Sequence, residues 1–441
     1  MQTEPLPVYS SQLSPEREKE LEVLYESERE ARQNNNLDLS SKTVGRILDF
    51  VLETRDPARI VHVAKNLVSK RGQLIKSTTD IVRRCMSFID EIQDIPTKIG
   101  FVEALKAMCE KKIYLEVEYA RCAMMLVKFK EGTENDLQAA AKIMENVQVE
   151  TYGSMSKKEK LEFILYQMRI QYLLKDRTKL YIVAKKVNTK TLDEEGFHLL
   201  KISYFTYLFH IHNKAKEYDG CSSSLEKIHE ALNKIQSPEE LNGLDAVIRQ
   251  KFTMFLDKTI LSESILLFKC LQEHSVTKVD ELEVLRAKYE VYILHSKKVL
   301  ELVDSFLSKE LTTCNIHHYE ASHQAIFSKN FANHLELLET LHKQLVKKNL
   351  IIISRYFRNA RMQRLVDLLD TLYETVEENL CELILSKLIR GKIDRPGRMI
   401  EFLAEANDVE VIDNWVKNIN EIVDIVDFVC ERIEREEVKA R

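Results

Sequence analysis

Apolar residues recur at helical spacing almost from one end of the chain to the other. Val44, Ile47, Leu48, Val51 and Leu52 stand at i, i+3, i+4, i+7 and i+8, which places them on one helix face. Leu161, Ile164, Leu165, Met168 and Tyr172 repeat the pattern, as do Leu335, Leu338, Leu341, Leu345 and Val346. Start signals accompany these faces. Ser14-Pro15-Glu16 opens a helix-compatible stretch that runs to Asn34-Asn35-Asn36. Asp56-Pro57 and Ser237-Pro238-Glu239-Glu240 are further starts, because a first-turn proline gives up an N–H that has no helical partner anyway.

Helix breakers between Pro57 and Gly243 fall about 23 residues apart, enough for one four-turn helix and a short connection. Taken in pairs, they predict helical hairpins with a period in the forties and no strict tetratricopeptide consensus. The expectation is a right-handed α-solenoid of TPR/HEAT-like hairpins over residues 37–310, preceded by a one-helix segment at 1–36.

After residue 345 the texture changes. Asn349–Phe357, Met362–Leu369 and Glu374–Leu385 read as three short helices. Leu388–Asp394 and Arg398–Phe402, separated by Arg395-Pro396-Gly397, read as a β-hairpin. That order predicts a winged helix within 311–404, with Arg398–Phe402 as an exposed strand able to extend a partner's sheet. Over 405–441, Ile412, Trp415, Ile419, Ile422, Val426, Val429 and Ile433 step by three and four, a coiled-coil seam on a long terminal helix. Such a seam packs either on its own solenoid or on helices of other subunits.

Composition narrows the class. The 441 residues include only ten glycines and seven prolines, too few for a protein built on tight turns between strands. A hydrophobic fraction of 44% with 31% charged residues fits a core-forming, helix-rich chain. The formal net charge of −5 lacks the basic excess with which nucleic-acid binders displace counterions. The longest stretch free of Asp, Glu, Lys and Arg, Ile202–Asn213, is too short to span a bilayer, and the first residues (MQTEPLPVYSS) do not read as a secretory signal. Eight cysteines without a C-x-x-C pair read as reduced, mostly buried thiols of a cytosolic or nuclear protein.

The segment Val147–Met155 (VQVETYGSM) resembles the PCI (proteasome–COP9–initiation-factor) subunits of the 26S proteasome regulatory-particle lid. Lys112–Arg121 (KIYLEVEYAR) is similar to a helix of that family. Arg364–Asp370, Lys392–Pro396, Ile400 and Phe402 are similar to its winged-helix core, and Trp415 to the start of its terminal helix. Together these matches span about residues 100–435. Where the family leaves its third winged-helix helix through an Asn-Gly-like turn, this chain has Ser386-Lys387.

The resemblance implies a scaffold without chemistry or cofactor. Its partners would be other PCI lid subunits, the lid deubiquitinase subunit, the ATPase ring and the core particle, in cytoplasm and nucleus. The contact residues expected on this basis are Arg398, Ile400, Phe402, Trp415, Ile419, Ile422, Val426, Val429 and Ile433. A COP9 signalosome PCI subunit shares the architecture and is the alternative, with an initiation-factor PCI subunit more distant; VQVETYGSM favours the proteasome.

Sharper chemistry finds little support. The deubiquitinating metalloprotease pattern needs His-(Ser/Thr)-His with Ser eight and Asp eleven residues further on. Here His210-Ile211-His212 is followed by Gly220 and Ser223 at those positions. His317, His318, His323, His334 and His342 crowd together without a Cys or acid in ligand register. No phosphate loop, dinucleotide fingerprint or nucleophile elbow occurs. An RNA-binding winged helix is the alternative from a different class. It would have to work with Glu374, Glu377, Glu378 and Glu382 on its recognition helix, and with a basic run of Arg355, Arg358, Arg361 and Arg364 before it. An acidic partner surface suits that run equally well.

Overall fold

The computed structural model describes residues 15–440 apart from 35, 135, 236–237, 276, 294–296, 313–332 and 404–407. His317, His318, His323 and Cys314 therefore lie outside the described residues, as does Ser14. Among the described residues are nineteen α-helices and one three-stranded sheet. The chain divides into two compact units, Met1–Ala215 with Lys227–Thr253, and Lys216–Glu226 with Met254–Arg441. The division falls within the stretch 37–310 assigned from sequence to the repeats.

In the first unit α1 (Pro15–Gln33), α2 (Leu37–Leu52), α3 (Pro57–Ser69), α4 (Ile75–Phe88), α5 (Ile95–Cys109) and α6 (Glu116–Phe129) follow one another through short connections. Each packs on its chain neighbours, and some reach the next helix but one: α2 meets α1, α3 and α4, and α3 meets α5. That is the packing of stacked helical hairpins. The stripe read from sequence is the core of α2, where Val44, Ile47, Leu48 and Val51 are fully buried. Pro57 and Pro96 occupy first turns, capped by the Asp56 and Asp94 carboxylates. Pro238–Gly243, read as a helix start, forms a 3₁₀ turn.

The family-like segment VQVETYGSM forms a connection. It joins α7 (Leu137–Glu145) to α8 (Lys157–Leu173) through a 3₁₀ turn at Val149–Thr151, with Val147, Val149, Tyr152 and Met155 buried. Beside it, the Arg121 guanidinium of α6 grips Glu159 of α8 through two hydrogen bonds of 2.6 and 3.1 Å. The α8 stripe is less one-sided than its spacing suggests, since Phe163, Gln167 and Ile170 are buried as well. A helix with neighbours on both sides buries residues beyond one face.

After α9 (Arg177–Ala184), α10 (His198–Ala215), α11 (Tyr218–Lys234) and α12 (Ala246–Lys251) come the helices of the second unit, α13 (Lys258–Leu271), α14 (Lys278–Ile293), α15 (Lys297–Leu307) and α16 (His334–Tyr356). Two short helices, α17 (Met362–Leu369) and α18 (Tyr373–Leu385), and the long α19 (Asp408–Ala440) follow. Asn349–Phe357 is thus not a separate short helix; it lies within and just past α16, whose buried Leu338, Leu341, Leu345 and Val346 carry the sequence stripe, while Leu335 stays exposed. The sheet contains β1 (Asn359–Arg361), β2 (Gly391–Asp394) and β3 (Met399–Phe402), antiparallel in the order β1-β3-β2. The succession α16, β1, α17, α18, β2, β3 is a winged helix. Ser386-Lys387 closes α18 with Lys387 in the left-handed region at φ 60° and the Leu388 N–H on the Leu383 carbonyl, so lysine takes a position glycine usually fills.

Candidate protein-interaction surfaces

Two features of the second unit present surface that a monomer would ordinarily cover. The first is α19, 33 residues and therefore about 50 Å long. Trp415 is 70% exposed, and Ile412, Ile419, Ile422, Val426, Val429 and Ile433 lie between 48% and 61%. Those are the seam positions expected from sequence. Val416, Val423, Ile425 and Phe428 are also about half exposed or more. At 100° per residue these additions widen the apolar arc to roughly two-thirds of the circumference. A two-stranded coiled coil needs only a narrow stripe, and this arc is wider than that.

The second feature is the sheet, and it corrects a sequence expectation. The strand Arg398–Phe402 was expected to be an exposed edge, but β3 is the central strand, paired with β1 on one side and β2 on the other. Ile400 and Phe402 are 0% and 3% exposed, core residues of the winged helix. Arg398 sits in the turn at φ 50°, its carbonyl accepting from the Met362 N–H at 2.9 Å. The reason is β1, a three-residue strand with no β-branched or aromatic residue to announce it. Its pairing takes the place that a partner strand would have used.

The open edges are instead β1 and β2, for among the described residues no strand pairs with their outer sides. The Phe402 N–H donates to the Arg358 carbonyl and the Met362 N–H to the Arg398 carbonyl. With Ala360 opposite Ile400, that register turns the main-chain groups of Asn359 and Arg361 outward. Arg358, Arg361 and Arg364 are exposed around this edge. The run Arg355, Arg358, Arg361, Arg364 is not one helical ridge, because α16 stops at Tyr356 and Arg361 belongs to β1.

Three carboxylates of α18 are held in ion pairs. Glu382 meets Lys343 and Lys347, each at 2.7 Å, Glu378 meets Lys343 at 3.5 Å, and Glu377 meets Arg395 at 2.7 Å. Burial raises the Glu382 carboxyl, but the hydrogen bonds from Lys343 and Lys347 outweigh it and hold the group below the usual carboxylate range.

Among the described residues no three His, Cys, Asp or Glu side chains gather to hold a metal ion. His210 lies edge-on to Tyr172 at 4.7 Å, pushed down to about 4 by burial and nearby cations, with Ile211 buried beside it. Cys85, Cys109, Cys122, Cys221 and Cys270 are buried free thiols. No helix among the described residues is long and apolar enough to cross a membrane.

A stacked-hairpin array, a winged helix with open strand edges and a bare apolar terminal helix define an assembly subunit of the PCI class. Residues 19–237 match the family described as PSMD12/CSN4, N-terminal, and 311–403 match the PCI domain. The chain belongs to this PSMD12/CSN4-type family of PCI-domain proteins. It is similar to the Dictyostelium discoideum 26S proteasome non-ATPase regulatory subunit 12, 29% identical over 420 residues covering 94% of this chain and 89% of the relative. It is 28% identical to the Schizosaccharomyces pombe 26S proteasome regulatory subunit rpn501 over 423 residues, 95% of this chain and 91% of that one. The Saccharomyces cerevisiae 26S proteasome regulatory subunit RPN5 is 26% identical over 426 residues, again 95% and 91%.

Proposed function

We propose that this chain is a non-catalytic scaffold subunit of the 26S proteasome regulatory-particle lid. The observation that carries the reading is end-to-end similarity to proteasome regulatory subunits, 94–95% of this chain in each case, joined to an uncovered terminal helix. The helix inserts among the terminal helices of other PCI lid subunits, and the β1 and β2 edges abut neighbouring winged helices. Through these contacts the chain helps to hold the lid deubiquitinase subunit and to brace the ATPase ring and core particle, in cytoplasm and nucleus. The family description also covers the COP9 signalosome type, and the proteasome names of the three relatives favour the first reading over it.

Affinity purification of the tagged chain at moderate salt, with partners identified by mass spectrometry, tests this assignment. Recovery of ATPase-ring and core-particle subunits is the expected result. Recovery of signalosome subunits in their place would keep the architecture and overturn the function.

A further inference from the structure

A cleft of about 380 Å³ lies in the second unit, between the end of α15, α16 and the Lys387-Leu388 exit from α18. Four cations line it, Lys309, Lys348, Arg355 and Lys387, and no carboxylate does. Lys309, Arg355 and Lys387 are exposed and form no ion pair among the described residues. Lys348 is only 5% exposed, and its ammonium donates to the Ser308 hydroxyl at 3.2 Å and the Glu310 carbonyl at 2.7 Å. In a chain with 70 acidic and 65 basic residues, four cations without a lining acid run against the average.

The floor of the same cleft is apolar. Phe306 and Ile352 are buried in it, while Val279 and Tyr356 are 45% and 74% exposed at its walls. A bare phosphate cluster would use the cations and leave this floor unfilled. A neutral hydrophobic segment would cover Lys309, Arg355 and Lys387 without bringing them an opposite charge. A ligand with anionic groups flanking apolar side chains satisfies both, by charge complementarity at the rim and burial below.

We propose that this cleft docks an acidic peptide segment bearing apolar anchor residues, supplied by another protein. The site is separate from the sheet edges and from α19, so the proposal stands whether or not the proteasome assignment does.

Fluorescence anisotropy of the full chain with a labelled Glu-Glu-Asp-Leu-Glu-Phe-Glu-Glu peptide tests it. The expected result is saturable binding that weakens with salt. It falls about tenfold or more in the Lys309→Glu, Lys387→Glu double variant. Replacing Leu and Phe of the probe by Ser should weaken it similarly, as should Tyr356→Ser. All three substitutions are at exposed positions, and circular dichroism confirms that the variants fold. Absence of saturable binding would overturn the proposal. So would equal binding of the Ser-substituted probe, or displacement by inorganic tripolyphosphate or a single-stranded oligonucleotide that itself binds as tightly, which would mark a phosphate site.

Discussion

Ala360 of β1 stands opposite Ile400 of β3, and that pairing decides which parts of the winged helix are free to meet a partner. It closes β3 and leaves the Arg361 amide pointing outward. Arg361 has φ −76°, close to the value proline imposes, and Ala360 before it is extended. Arg361→Pro should therefore leave stability within about 1 kcal/mol of the parent while removing one outward N–H. If β1 takes part in assembly, Arg361→Pro incorporates less well than Arg361→Ala, which removes the charge alone. Quantitative mass spectrometry of the purified complexes compares the two.

Lys347, 6% exposed, depends on Glu382 for its charge partner. Glu382→Gln should lower the unfolding free energy by about 1–3 kcal/mol, below the cost of breaking a fully buried pair because Glu382 is itself part-exposed. The double replacement Lys347→Met, Glu382→Leu should recover most of that loss. Urea denaturation of the parent and these two variants decides the matter; a double variant that is less stable than Glu382→Gln would contradict the pairing.

Two buried histidines set an acid limit. Burial pushes His274 down to about 3 and His210 down to about 4, from an ordinary value of 6.5. Above pH 6.5 both are neutral in the folded and unfolded chain and contribute no pH dependence. Below it the unfolded chain takes up protons that the folded chain refuses, so stability falls from pH 6.5 towards 4 for His210 and 3 for His274. The loss by pH 5 should be about 2 kcal/mol for each. Urea midpoints measured across this range should fall less steeply for His274→Gln than for the parent.

Lys175 follows α8 in the left-handed region, at φ 60°, with the Asp176 N–H on the Gln171 carbonyl. Lys175→Gly should stabilise the chain by about 1 kcal/mol, since a Cβ is unfavourable there. A thermal melt checks this.

Much of this architecture is legible in the chain. Stripes such as Val44–Val51 mark real core faces because their period is that of the helix, and the seam from Ile412 to Ile433 marks the exposed helix for the same reason. The hairpin around Pro396-Gly397 is legible because its turn chemistry is local: the Gly397 N–H bonds the Asp394 carboxylate, three residues back. What escapes is β1, because Asn359-Ala360-Arg361 is strand only through its partner β3. From that one omission came the misplaced edge and the misassignment of Ile400 and Phe402. The left-handed lysines likewise follow from helix-end geometry, which residue identity does not announce.

In the proposed scaffold role, α19 is the contact through which the chain enters its complex. The most direct test replaces Ile419, Ile422 and Val426 with Asp and follows co-sedimentation with the other subunits. All three side chains are more than half exposed, so the isolated variant should keep the helical content and melting profile of the parent. The expected result is a folded chain that no longer sediments with the complex. Retained co-sedimentation of the triple variant would contradict it.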